Sequence, residues 1–218
     1  MSALIVIPTY NERDNIARLL LAIRAEAPDA HILVVDDSSP DNTAEMVDTA
    51  QQNVHLLSRT GPRGLGPAYL DGFRWALRNN FDQIVQMDAD FSHQPRHLRA
   101  LLDATQTADV ALGCRYMAGG GVIGWERHRR WLSRLGNRYA SLALNLPYSD
   151  LTSGFKCFQR HILEIIDLDA VQSVGYAFQI EMTWRMVRAN ASVVEVPILF
   201  PDRQAGRSKL SLRIAHEA

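Results

Sequence analysis

Short apolar runs alternate with amphipathic helical stretches through the first half of this chain, and that alternation restricts the fold more than any other feature. ALIVI (3–7), HILVV (31–35), NVHLL (53–57), QIVQM (83–87) and VALGC (110–114) have the length and composition of buried strands. Between them, NERDNIARLLLAIRAEA (11–27) sets Ile16, Leu19, Leu20 and Ile23 on one side of a helix. SSPDNTAEMVDTA offers Ser39 as an N-cap and Pro40 for the first turn of a second helix. A third is expected over 68–79, after the Gly/Pro-rich TGPRGLGPA. Strands that alternate with helices imply an α/β fold, a mainly parallel central sheet flanked by helices on both faces.

In such a sheet, ligands collect beyond the carboxyl ends of the strands. There the chain places PTYNE, DDSSPDN and DADFSH, so Glu12, Asp36, Asp37, Asp88 and Asp90 face one edge. Acids packed this closely repel one another unless cations or hydrogen-bond donors compensate. Asp-x-Asp suits a divalent ion that also holds a diphosphate, because hard carboxylate oxygens match Mg²⁺ or Mn²⁺ and leave positions open for phosphate and water. The plainer alternative is that Asp90 or Ser92 caps a helix starting near Pro95. Asp36 and Asp37 suit the hydroxyls of a ribose or a base edge, or else simply build a turn. His93, one of seven histidines, reads as structural.

Charge narrows the partners. A formal net charge of −1 gives no global attraction to nucleic acid or anionic lipid, so any electrostatic recognition is local. Cys114 and Cys157 read as reduced, buried thiols of a cytoplasmic protein. The N-terminus lacks the basic and long apolar regions of a signal peptide, and no run reaches the ~18 apolar residues of a membrane span.

The second half changes character. GGGVIGWERHRRWLSRLGNRYASLALNL (119–146) starts as a glycine run and becomes a basic helix. Arg127, Arg130, Arg134 and Arg138 form one stripe and Trp131, Leu135, Tyr139 and Leu142 the next. Such a helix either lies in a headgroup layer or shows a solvated basic face with Trp131 in the core. A loop carrying TSGFKCF (152–158), a helix around 177–190 and a strand over 192–200 complete the pattern.

PTYNERDN, VVDDSSPDNT, RGLGPAYLDGF, MDADFSH, GCRYMAGGGV, TSGFKCF and RQAGRSKLS together resemble the motifs of polyprenol-phosphate sugar transferases. These belong to the inverting GT-A glycosyltransferases of family 2, and the likeness is nearest to dolichol-phosphate mannosyltransferases. It runs from Pro8 to Ser211. It implies one GT-A catalytic domain over 1–218, with a nucleotide-sugar half over about 1–115 and an acceptor- and membrane-facing half over about 116–218. Pro8, Tyr10, Glu12, Val35 and Asp37 would surround base and ribose, and Asp88, Ala89 and Asp90 the diphosphate. Asp90 would hold Mg²⁺ or Mn²⁺, with Asp88 near the sugar or metal. Ser92 stands where many relatives carry a metal-completing Gln. Arg115 and Arg129 would meet the acceptor phosphate, and Arg203, Ser208 and Lys209 would close over the donor. The implied donor is GDP-mannose, with UDP-glucose or a UDP-amino sugar as alternatives. The implied acceptor is a polyprenyl monophosphate, and the protein would sit peripherally on the cytoplasmic face, alongside a membrane-domain partner or a missing C-terminal membrane segment.

A lipid monophosphate is already anionic, so transfer to it needs no general base; charge neutralisation and in-line alignment suffice. A transferase acting on a saccharide hydroxyl would need a carboxylate base, for which Glu126 and Glu181 are the candidates. PTYNERDN is not the glycine-rich basic loop of a nucleotidylyltransferase, and no GxGxxG follows any strand, which excludes a dinucleotide dehydrogenase.

Overall fold

A computed structural model describes residues 1–173 and 175–202. In chain order its elements are β1 (Ala3–Thr9), α1 (Arg13–Glu26), β2 (His31–Asp36), β3 (Val54–Ser58), α2 (Leu65–Arg78), β4 (Gln83–Gln86), α3 (Leu98–Ala104) and β5 (Val110–Cys114). There follow β6 (Gly121–Ile123), α4 (Arg127–Leu144), β7 (Lys156–Gln159), α5 (Arg160–Ile165), α6 (Gly175–Arg188), β8 (Val193–Pro197) and β9 (Leu199–Pro201).

The main sheet has seven strands in the order β3-β2-β1-β4-β7-β5-β8. Every neighbouring pair is parallel except those made by β7, which runs antiparallel to both β4 and β5. Side chains alternate across the strands, so Ile5, Ile7, Ile32 and Val34 pack beneath α1 and α3. Leu4, Val6, Leu33 and Val35 pack on the opposite side with α2, α5 and α6. Burial of both faces explains why these strands read as continuous apolar runs. Helix α2 reaches the sheet through Gly72, where a Cβ would stand 2.3 Å from Val6 Cγ1.

Three expectations fail locally. Residues 156–159 are strand β7 rather than loop; TSG turn residues and a buried lysine hide a four-residue strand from any periodicity reading. Instead of a helix after Ser39, only a 3-10 turn over Thr43–Met46 forms, and the Ser39 hydroxyl accepts from the Asn11 N–H while donating to Asp36. The run 192–200 is two strands: β8 closes the main sheet, while β9 leaves it to pair with β6 in a separate two-stranded ribbon. Gly120 lets the chain entering β6 pass close to the end of β5, since a Cβ there would lie 2.5 Å from the Cys114 carbonyl oxygen.

Candidate active site

Parallel strands deliver their carboxyl ends to one edge, so Asp36 and Asp37, Asp88 and Asp90, and Arg115 arrive together after β2, β4 and β5. The reversed strand β7 adds what precedes it, and residues 150–155 therefore reach the same edge.

On the nucleoside side, the two neighbouring acids differ. Asp36 accepts from the Thr9 hydroxyl and from the Ser39 N–H and hydroxyl, so it builds the turn. Asp37 pairs with Arg59 and accepts the Gly64 N–H at 2.9 Å, which ties the 59–64 loop to β2. Arg63 Nη1 donates to the Tyr10 hydroxyl at 2.8 Å and its guanidinium lies over the Tyr10 ring. Glu12 accepts from the Asn15 amide. Pro8 pairs with Val35 across β1 and β2. Val35 and Ala89 are buried in the core. The expected mutual repulsion of the acids is thus met by donors from the chain itself.

At the Asp-x-Asp loop, Asp88 Oδ1 accepts from the Tyr69 hydroxyl at 2.8 Å. Burial, together with the charges of Asp88 and Asp90, pushes the Tyr69 phenol well above its ordinary value, so it stays a donor. Asp90 Oδ1 accepts from both the N–H and the hydroxyl of Ser92. Neither Asp90 nor Ser92 caps the turn that begins at Pro95. The buried Ser92 hydroxyl is directed at Asp90. Among the described residues, no three His, Cys, Asp or Glu side chains form a metal cluster. A divalent ion here would rely on the carboxylates of Asp88 and Asp90 and complete its shell from ligand and water. Two carboxylates at one strand end suit that use.

His93 is more central than its sequence suggests. Its Nδ1 accepts the Asp88 backbone N–H at 2.8 Å, and its ring stacks on Phe155 and meets Phe200 edge-on. Burial lowers its pKa against the opposing pull of Asp88 and Asp90, so the ring is a neutral strut between the acidic loop and the second half of the chain.

The arginines stand beyond that strut. Arg115 is only 6% exposed; its Nε and Nη2 form a two-pronged pair with Asp150 at 2.7 and 2.6 Å, and Nη2 also donates to Thr152. Arg129, on the first turn of α4, keeps 41% of its side chain exposed. Both guanidiniums lie against the Trp125 ring, Arg129 at 3.9 Å and Arg115 at 5.6 Å from its centroid. Trp125 in turn meets Phe200 edge-on. The acidic loop and the arginines are therefore joined through His93, Phe200 and Trp125.

Arg203, Ser208 and Lys209 lie outside the described residues. Tyr69, Arg59, Asp150 and Trp125 were not singled out from sequence. Only Asp150 carried a signal, as a lone acid just ahead of the TSG turn. Of the candidate bases, Glu126 is exposed beside His128. Burial works to raise the Glu181 carboxyl, but hydrogen bonds from Ser173 and the Arg185 guanidinium outweigh it and hold it below the usual range.

This strand order, with acids and arginines gathered at one edge, defines a GT-A glycosyltransferase. Residues 4–166 match the glycosyl transferase family 2 profile, and the chain belongs to that family. It is 44% identical to an undecaprenyl-phosphate mannosyltransferase of Micrococcus luteus, over 100% of this chain and 91% of that one. To a polyprenol monophosphomannose synthase of Mycolicibacterium smegmatis it is 46% identical, over 95% of this chain and 80% of that one. Glucosyl-3-phosphoglycerate synthase from Mycobacterium tuberculosis, solved with Mn²⁺, uridine diphosphate and phosphoglyceric acid, shares the fold. Its TM-score is 0.72 at 16% identity, over 98% of this chain and 73% of that one.

Proposed function

We propose that this glycosyltransferase moves a mannosyl group from GDP-mannose to the phosphate of a polyprenyl monophosphate, with inversion at the anomeric carbon. The observation that carries the reading is the shared edge: Asp88 and Asp90 on one side of His93, Arg115 and Arg129 on the other. The 44 and 46% identities to two polyprenol-phosphate mannosyltransferases support the same chemistry.

In this reading Asp37 and Tyr10, with Arg59 and Arg63, form the nucleoside wall, and Asp88 and Asp90 hold Mg²⁺ or Mn²⁺ beside the diphosphate. When bound, that cation would supply charge neutralisation for the departing nucleoside diphosphate. Tyr69 fixes the Asp88 carboxylate through its donated hydrogen bond. Arg129 grips the acceptor phosphate, and Arg115 stands behind it, locked by Asp150. Guanidinium suits this task because its planar fork matches two phosphate oxygens. The acceptor arrives as an anion and needs no base, in keeping with the engaged state of Glu181. Arg203, Ser208 and Lys209 would close over the donor.

The acceptor's greasy chain requires contact with a bilayer. Helix α4 supports a peripheral position on a membrane, and we propose the cytoplasmic face. Trp131 and Tyr139 are 66% and 76% exposed, with Leu132, Leu135 and Leu142 exposed around them and arginines alongside. No helix among the described residues is long and apolar enough to cross a membrane.

The deciding assay offers the purified protein a short polyprenyl phosphate, Mn²⁺ or Mg²⁺, and a panel of radiolabelled sugar nucleotides. Label from GDP-mannose should appear in the lipid phase only when the lipid phosphate is present. Transfer to a saccharide, or from a uridine nucleotide in preference, would overturn the reading.

A further inference from the structure

Trp125 occupies an unusual position. It follows Gly124, whose φ of +79° lies in the left-handed region that favours glycine, and that turn sends the indole inward at the junction of β6 and α4. The residue is 8% exposed, yet its Nε1 is buried with no hydrogen-bond acceptor among the described residues. A buried donor left unpaired costs stability rather than adding to it. Among the described residues, what the ring engages is its π face and edge. Arg129 lies 3.9 Å from its centroid, Arg115 lies at 5.6 Å, and Phe200 closes the third side. Of the aromatic side chains, tryptophan attracts a cation most strongly.

Without that ring Arg129 would be poorly fixed. It forms an ion pair with Asp202, whose side chain is half exposed, and an exposed pair of this kind holds a long side chain weakly. Arg115 needs no such help, since Asp150 already locks it. Displacing the ring therefore moves the Arg129 guanidinium relative to an Arg115 that stays fixed on Asp150.

We propose that Trp125 is a positioning residue for the acceptor phosphate: its ring face sets where the Arg129 guanidinium stands relative to Arg115. The inference rests on the assignment of Arg129 to the acceptor. Its consequence is a pre-set grip on a compact tetrahedral anion, because a guanidinium held in place before binding loses less freedom when the anion arrives.

The test compares wild type, Trp125→Phe, Trp125→Leu, Arg129→Ala and the Trp125→Leu/Arg129→Ala double variant. Steady-state kinetics use a short polyprenyl phosphate as acceptor; GDP-mannose binding in the presence of Mn²⁺ and thermal melts are measured separately. Trp125→Leu should raise the acceptor KM roughly tenfold, the order expected for a partly desolvated cation–π contact, with donor affinity unchanged. Trp125→Phe keeps a ring face for the cation, so its acceptor KM should stay within about threefold of wild type. In the Arg129→Ala background, Trp125→Leu should add less than about twofold, since a residue acting through Arg129 has nothing left to position.

A full tenfold effect in that background would overturn the proposal, as would a Phe variant as impaired as the Leu variant. If Arg129→Ala raises the acceptor KM and a folded Trp125→Leu does not, the proposal fails while the acceptor assignment stands. If Arg129→Ala leaves the acceptor KM unchanged, the assignment itself falls. Should Trp125→Leu melt below the assay temperature, Trp125→Met is read in its place.

Discussion

Arg129 and Asp202 are joined across the two halves of the acceptor side: Nη1 of Arg129 on α4 donates to Oδ1 of Asp202 at 2.9 Å, directly after β9. Asp202 is itself fixed by its N–H, which donates to the Ile123 carbonyl of β6. An anionic acceptor meeting Arg129 must share it with this carboxylate or displace it.

Asp202→Asn should therefore lower the acceptor KM. An exposed pair of this kind is worth about 0–1 kcal/mol, so the expected gain is up to about fivefold, with a stability change of the same small size. Kinetics with a short polyprenyl phosphate and a urea titration check both. A higher acceptor KM would mean that Asp202 aims Arg129 productively rather than competing for it.

Tyr69→Phe isolates the donor side. The phenol is fully buried on α2, stacks on Phe178 and donates to Asp88 at 2.8 Å. Phenylalanine keeps the stack and removes one hydrogen bond to a charged acceptor, worth about 1.5–3 kcal/mol. Donor kcat/KM should fall roughly tenfold or more while acceptor KM holds. An unchanged donor kcat/KM would show that Asp88 needs no fixing by Tyr69.

How much of this was legible in the sequence depends on which residues carry a local signal. Strands β1, β2, β4 and β5 and the charged residues beyond them could be read because a strand buried on both faces leaves a short apolar run with polar and charged residues after it. Strand β7 could not, because only its neighbours β4 and β5 make Lys156–Gln159 a strand. The same reversal brings Asp150 onto Arg115, a pairing between positions 35 residues apart that no spacing rule indicates. Trp131 had two sequence readings, headgroup layer or core. Its exposure removes the core reading, because helical periodicity defines a face but not what covers it.

That exposed face predicts a separable membrane contribution. Trp131→Ser combined with Tyr139→Ser should leave the melting temperature within about 2 °C of wild type, because neither side chain is buried. Co-sedimentation with phosphatidylcholine/phosphatidylglycerol vesicles should weaken markedly, and wild-type binding should fall as salt rises, since each arginine near an anionic surface is worth about 1 kcal/mol. Vesicle binding unaffected by the double substitution would place the membrane contact elsewhere.

The last prediction concerns a lysine that touches no proposed substrate. Lys156 Nζ is fully buried and donates to the Gln179 carbonyl and Oε1 at 2.9 and 3.0 Å. Burial lowers its pKa from 10.5 to about 7, with Asp150 pulling the other way. An unfolded chain keeps this lysine protonated up to its ordinary value, while the folded chain releases the proton near 7. Between those limits the unfolded state binds more protons, so stability rises with pH. Below about 7 both states are protonated and the cost of the buried charge is full and constant. Lys156→Met removes the titration. From pH 7 to 9 the wild type should gain stability relative to the variant, by up to about 1.4 kcal/mol per pH unit. Below pH 6 the difference should be level. Urea unfolding of both proteins from pH 5 to 9 reads this directly, on the order of 2 kcal/mol across the upper range. A difference flat through pH 9 would mean that Gln179 and Asp150 offset the cost of burial and keep the ammonium charged.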